Sequence, residues 1–224
     1  MPSLDDLIRL SSWAVELEPE LLDQLRQACV ERAVPAGGQV CYKGEPADHW
    51  IGVIDGLVKV GTVSVEGKAI TFIGVGAGGW FGEGSMLKDE PRRYEAVALR
   101  DSRIAYMPRA TFQWLLETSI RFNRHLLVQL NERLGQLIGT LESERLLGPE
   151  GRVARCLSQL FNPLLYPRQS PRLEISQAEL GLLTGLSRQR VNQALQELER
   201  YGLLKIEYGS VTIESLEGLR GFEG

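Results

Sequence analysis

Residues 175–213 read ISQAELGLLTGLSRQRVNQALQELERYGLLKIEYGSVTI, and the reading of this stretch decides the fold. Ser176 with Glu179 is a capping box: hydroxyl and carboxylate each accept a backbone N–H that a helix start leaves unpaired. The helix it opens stops at Gly185, and Ser187 is the N-cap of another helix beginning at Arg188. Eight helical residues, a glycine turn and a second capped helix make the helix-turn-helix plan. Gly181 is the small residue that lets the two helices cross closely. Val191, Ala194, Leu195 and Leu198 fall at i, i+3, i+4 and i+7, the inner face of the second helix. After Tyr201-Gly202, the β-rich runs Leu203–Glu207 and Val211–Glu214 flank Tyr208-Gly209-Ser210 and predict a wing.

The second helix leaves Arg188, Gln189, Arg190, Asn192, Gln193 and Gln196 outward, with no acid before Glu197. Arginine makes paired contacts to guanine, and asparagine or glutamine to adenine, in a groove wide enough for one helix. Ser176, Gln177 and Ser187 stand at the two helix starts, where phosphates lie. Together with Arg188, Gln189, Arg190, Asn192 and Gln193 they are the candidate DNA-binding residues.

Upstream, Leu127, Leu130, Leu134, Leu137 and Leu141 step by 3, 4, 3 and 4. That is an a/d seam, the repeat with which two helices pack knobs into holes, and it predicts a homodimer. Leu126 and Ile138 widen the stripe, so that one side packs on the preceding domain and the other on a partner. Gly148-Pro149 ends this helix and marks a hinge. A helix over Arg152–Phe161 and a loop through Asn162-Pro163 and Tyr166-Pro167 lead into the helix-turn-helix.

Further upstream the period changes again. Residues 35–85 hold 13 of the 24 glycines, set between the β-rich runs Gln39–Tyr42, Trp50–Ile54, Leu57–Val63 and Ala69–Val75. Turn signals fall at Pro35-Ala36-Gly37-Gly38, Gly44-Glu45-Pro46, Asp55-Gly56 and Glu66-Gly67-Lys68, and Ala96–Met107 adds two strands around Asp101-Ser102. Short strands with glycine corners read as an antiparallel β-roll, preceded by helices at Leu4–Leu10 and Glu20–Val30. The fold class is α+β. Residues 1–108 are expected to form a sensing β-roll with N-terminal helices, 109–147 a long dimerisation helix, and 148–224 a winged helix-turn-helix.

In this order of parts the chain resembles the CRP/FNR superfamily of bacterial transcription regulators. Leu186-Ser187-Arg188-Gln189-Arg190-Val191-Asn192 is similar to the start of that family's recognition helix. Trp80-Phe81-Gly82-Glu83, followed by Pro91-Arg92, resembles the phosphate-binding cassette of cyclic nucleotide-binding domains. The resemblance implies that Gly82, Glu83, Gly84 and Ser85 present backbone N–H groups to a phosphate. It also implies that Glu83 accepts from a ribose hydroxyl and that an arginine closes on the phosphate, with Arg92 preferred and Arg93 kept. The expected effector is accordingly a cyclic nucleotide or another anionic small molecule. The family's small residue after the arginine is replaced by Arg93, Tyr94 and Glu95, and the purine-contacting pair of its cAMP-binding members falls on Leu137 and Ile138. Two leucine-type side chains do not hydrogen-bond a base, so the expected effector is not cAMP. The resemblance further implies double-stranded DNA with an inverted-repeat operator, a second copy of the chain and RNA polymerase as partners.

Composition agrees with this class. The chain of 224 residues carries Lys+Arg 25 against Asp+Glu 29, with 16 basic and 20 acidic residues over 1–145 and 9 of each over 146–224. Net charge therefore gives no sign of nucleic acid, and the DNA reading stands on local pattern. Cys29, Cys41 and Cys156 are scattered, which makes neither a disulfide framework nor an iron–sulfur site and fits a reduced cytoplasm. The first ten residues carry Asp5 and Asp6 and no apolar run, and no segment has the ~18 apolar residues of a membrane span, so neither a secretory leader nor a membrane partner is expected. No phosphate-binding loop, nucleophile elbow or metal-ligand cluster is legible, which argues against an enzyme. The alternative is a protein that binds a cyclic nucleotide or haem (with His49 or His125 on the iron) and has a degenerate DNA-binding domain.

Overall fold

The computed structural model describes residues 2–15, 17–64, 66–67, 69–167 and 170–223. Two helices open the chain, α1 (Leu4–Leu10), capped by Ser3 and Asp6, and α2 (Pro19–Ala28), with proline in its first turn. The helix expected to reach Val30 stops at Ala28, because Val30 already begins strand β1 (Val30–Val34) against Tyr106. Four of the five β1 residues are exposed, so the strand carries no apolar alternation to read. There follow β2 (Gln39–Cys41), β3 (His49–Asp55), β4 (Leu57–Val63), β5 (Ala69–Gly76), β6 (Trp80–Phe81), α3 (Glu83–Leu87), β7 (Glu95–Ala98) and β8 (Ser102–Pro108). Lys68, the last residue of the expected turn between β4 and β5, lies outside the described residues.

The strands form two antiparallel sheets, ordered β1-β8-β3-β6 and β2-β7-β4-β5. Between them lies an apolar core that includes Val53, Val58, Val75, Phe81 and Ile104. Side chains alternate across a strand, so Ile51 points into this core while its neighbour Trp50 points out of it. There Trp50 stacks on Trp80 at 4.4 Å and meets Phe112 and Phe122 edge-on, and Trp13 closes the cluster. The sheet is thereby welded to the helices that follow.

The stretch 109–147 holds two helices, α4 (Arg109–Thr118) and α5 (Ile120–Leu146), where one was expected. Ser119 separates them: it closes α4 and its hydroxyl accepts from Phe122 N–H to start α5. The leucine seam lies on α5. Leu127, Leu134, Leu137, Ile138 and Leu141 are exposed and Leu130 is half-buried, while Leu126 packs into the aromatic cluster. The opposite side buries Phe122, Gln129, Arg133, Gln136 and Ser143.

After Gly148, α6 (Pro149–Leu160) starts three residues earlier than the sequence suggested, with proline in its first turn. Then come β9 (Arg172–Glu174), α7 (Gln177–Thr184), α8 (Arg188–Arg200), β10 (Leu204–Glu207), β11 (Ser210–Ile213) and α9 (Leu216–Arg220). The expected wing is the β10–β11 hairpin, and β9 adds a third strand to it by pairing with β11. Leu157, Leu180, Val191, Ala194, Leu195 and Leu198 lie in the core beneath.

His125 shows how tightly α5 is seated. Gln129 donates its amide to the Trp80 carbonyl, so its Oε1 is left to accept from His125 Nε2 at 3.1 Å. Nδ1 then accepts from the Ser12 hydroxyl at 2.9 Å. Burial pulls the His125 pKa from 6.5 down to about 4, against the weaker opposing pull of the Gln129 hydrogen bond. Between pH 4 and 6.5 the imidazole is neutral in the folded chain but protonated in the unfolded one, so the fold is best supported above pH 6.5. That support is lost as the pH falls towards 4, a difference of about 3 kcal/mol in all. The thermal midpoint of the wild type is therefore expected to fall between pH 6.5 and 4 more steeply than that of His125→Gln. Parallel curves would contradict it.

Candidate effector and nucleic-acid sites

The cassette is built at the end of β6. Gly82 has φ 98, a left-handed conformation that favours glycine, and caps α3. A Cβ there would stand 2.8 Å from Nη1 of Arg92, so the missing side chain is also what admits the guanidinium. Arg92 is 3 % exposed. Its backbone is pinned by Gly44 N–H donating to its carbonyl and its own N–H donating to Glu45. Nη2 donates to the His49 carbonyl at 2.6 Å, and Nε lies 3.4 Å from Glu45 Oε1. Nε and Nη1 are buried without a hydrogen-bond partner, donors that an anion would satisfy.

Of the other cassette residues, Glu83 and Ser85 are buried and Gly84 is half-buried. Glu83 accepts from the Trp50 indole at 3.4 Å, which ties the cassette to the aromatic cluster. The structure separates the two candidate arginines. Arg93 is exposed and pairs with Glu90 at 2.7 Å, so only Arg92 stands at Gly82. Tyr94 turns inward, its hydroxyl 3.8 Å from the Gly82 Cβ position, and burial raises its pKa. Glu95 reaches the other way, to Gln39 at 3.4 Å. Beside Arg92 opens a cavity of about 510 Å³ whose lining mixes polar residues such as Arg32, Glu45 and His49 with apolar ones such as Val34, Val40 and Ile51. Burial lowers the pKa of His49, whose ring lies edge-on to Tyr106. Burial also holds the thiols of Cys29, Cys41 and Cys156 up at about 12, so none supplies thiolate near neutral pH.

On α5, Leu137 and Ile138 face away from the roll. The helix instead turns Gln129 and Arg133 towards it, residues the sequence reading passed over. Both donate to the Trp80 carbonyl, and Arg133 also donates to Gln136 and to the Tyr166 hydroxyl. The signal was available: residues 129, 133 and 136 repeat at helical spacing, out of phase with the leucines.

In the helix-turn-helix, the capping box forms as expected: Ser176 Oγ accepts from Glu179 N–H, and Glu179 Oε2 accepts from Ser176 N–H at 2.6 Å. Gly185 takes φ 68 as the cap of α7, and Ser187 accepts from Arg190 N–H. The space that Gly181 provides is filled by the Leu186 carbonyl, 2.8 Å from a Cβ there, so the close approach is to the turn before α8. Arg188, Gln189, Arg190 and Gln193 are exposed on α8. Asn192 is half-buried and accepts from the Gln177 amide at 2.8 Å, which fixes the two helix starts together. Tyr208 projects fully exposed from the wing.

A cassette-bearing β-roll joined through a long helix to a winged helix-turn-helix is the plan of a DNA-binding transcription regulator. The sequence matches the cyclic nucleotide-binding domain family over residues 31–119 and the Crp-like helix-turn-helix domain family over residues 151–222. It is 32% identical over 189 residues to the transcriptional regulator SdrP of Thermus thermophilus, covering 83% of this chain and 90% of that one. It is 27% identical over 219 residues to a CRP-like cAMP-activated global transcriptional regulator of Mycobacterium tuberculosis, covering 96% and 98%. A solved CRP/FNR-family regulator from Thermus thermophilus superposes with a TM-score of 0.59 at 27% identity, covering 87% of this chain and 100% of that one. The chain belongs to the CRP/FNR superfamily of transcription regulators. Among the described residues no helix is long and apolar enough to cross a membrane.

Proposed function

We propose that this chain is a sequence-specific regulator that binds an inverted-repeat operator as a homodimer in the cytoplasm. Residues 1–108 would sense an effector, 109–147 join two copies, and 148–224 bind DNA. The observation that carries the reading is the exposed row Arg188, Gln189, Arg190 and Gln193 on a helix held by caps at the start of both helix-turn-helix segments. The unpartnered leucines of α5 support the dimer, and RNA polymerase is the further partner that the family implies. The unused donors of Arg92 beside Gly82 support an anionic effector. Tyr94 at the cassette, and outward Leu137 and Ile138 where hydroxyls would serve a purine, favour an effector other than cAMP.

Arg188→Ala is expected to cost about 1–3 kcal/mol of operator affinity and to relax preference at one base pair per half-site, read by binding-site selection. A variant with unchanged sequence preference would remove Arg188 from base reading. Replacing Leu130 and Leu134 by Asp is expected to give monomers with weak DNA binding, because carboxylates would be buried in the seam. Light scattering that still shows the dimer mass would refute the seam. Calorimetry is expected to find no tight cAMP complex and DNA binding unchanged by cAMP. Low-micromolar cAMP binding, lost in Arg92→Ala, would make cAMP the effector after all.

A further inference from the structure

Leu165 and Tyr166 follow α6, on the DNA side of the chain, yet their side chains are buried in the core of the β-roll with Val53, Val75 and Phe81. The loop is built to deliver them. Asn162 Oδ1 accepts from Leu164 N–H and Leu165 N–H, its carbonyl accepts from Tyr166 N–H, and its amide donates to Glu132 on α5 at 2.7 Å. Leu164 stays exposed, whereas Leu165 and Tyr166 are 4 % and 2 % exposed. A Cβ on Gly79 would stand 2.8 Å from the Tyr166 ring, so the glycine leaves room for it. The hydroxyl donates to the Gly74 carbonyl and accepts from Arg133 Nη1, both at 2.7 Å, and the Arg133 guanidinium lies 5.4 Å from the ring centre.

Seated this way, Tyr166 resembles a bound ligand: a flat ring in an apolar chamber with its one polar atom doubly hydrogen-bonded. It also fastens the helix-turn-helix to the roll. Alongside it the Thr71 hydroxyl donates to the Leu182 carbonyl at 2.8 Å, and Arg100 pairs at 2.8 Å with Glu179, the capping-box carboxylate of α7. A cleft of about 360 Å³ beside Tyr166 sets Asp55 and Asp101 of the roll across from Arg172 and Glu174.

We propose that Tyr166 is a tethered ligand of the β-roll that latches the DNA-binding half in a docked, low-affinity arrangement, and that a small molecule carrying an aromatic ring opens the latch by taking its seat. The inference rests on the DNA-binding reading above. A tethered group competes at an effective concentration in the millimolar range, so a free molecule displaces it only by adding contacts that the tyrosine lacks.

Two variants of the full chain test the latch without an effector. Tyr166→Phe keeps the ring and removes both hydroxyl hydrogen bonds. Arg100→Gln removes the partly buried ion pair with Glu179 and leaves the core alone. Amide hydrogen exchange over residues 162–167 and 177–184 is expected to quicken about tenfold in Tyr166→Phe. Affinity for the inverted-repeat duplex recovered by in vitro selection should rise by a similar factor, because the competent fraction rises. The Arg100→Gln effect should be about twofold in the same direction. Unchanged exchange in Tyr166→Phe, or weaker DNA binding in both variants with thermal midpoints retained, would overturn the latch. If the wild type selects no duplex, the DNA reading fails instead, and the exchange measurement alone decides whether Tyr166 holds the two halves together.

Discussion

Helix α5 carries two faces with opposite requirements, and the rest of the molecule is arranged around that conflict. One side is a row of leucines at 127, 134, 137 and 141, with Leu130 half-covered; the other buries Gln129, Arg133, Gln136 and Ser143. A single chain could bury the leucines only by exposing the polar row. It does the reverse, because amide and guanidinium groups can be buried at small cost where they find acceptors, and here the roll and α6 supply most of them. Burying one leucine completely is worth about 1.5–3 kcal/mol, so the uncovered row is a standing drive towards a second helix of the same kind.

The polar face also sets how the two ends of the chain are connected. The Trp80 carbonyl accepts from both Gln129 and Arg133, and Trp80 stands two residues before Gly82 of the cassette. On the far side Arg133 holds Tyr166, and Gln136 exchanges amide hydrogen bonds with Gln159 on α6. About two helical turns therefore touch the cassette strand, the inserted tyrosine and the first helix of the DNA-binding half. A shift of β6 by even a fraction of an ångström has to be absorbed by this row, because hydrogen bonds weaken steeply away from their preferred geometry.

What could be read in the sequence was local, periodic or capped. The helix-turn-helix was legible because Ser176, Glu179, Gly185 and Ser187 each act on their own backbone within a few residues. The roll was legible through its glycine corners, and the leucine seam through its period. Strand β1 was not, since four exposed side chains carry no alternation, and the break at Ser119 was not, because a serine inside an apolar periodicity looks like a tolerated polar residue. The roles of Tyr166 and Arg133 were out of reach for a different reason. Their contacts join residues 74, 80, 133 and 166, far apart in the chain, and Tyr166-Pro167 by itself reads as a loop. The family resemblance supplied Gly82, Glu83 and a preference for Arg92 over Arg93, and the fold adds the reason: Arg92 is buried against Gly82 while Arg93 pairs with Glu90.

The two buried arginines show which part of the molecule is settled and which is poised. A buried guanidinium is costly unless its N–H groups are matched. Arg133 meets three acceptors, the Trp80 carbonyl, Gln136 and the Tyr166 hydroxyl, and leaves only Nε unmatched. Arg92 has one short acceptor, the His49 carbonyl, and a carboxylate at 3.4 Å, and leaves both Nε and Nη1 unmatched. An anion at Gly82 would therefore relieve an existing cost at Arg92, so its binding would stabilise the roll as well as occupy it. At Arg133 the opposite holds. Withdrawing Tyr166 removes an acceptor from a guanidinium already buried, so the tyrosine leaves readily only when the incoming molecule brings an acceptor of its own. A molecule taking the seat of Tyr166 would need a ring bearing an acceptor for Arg133, whereas the unmatched donors of Arg92 call for negative charge.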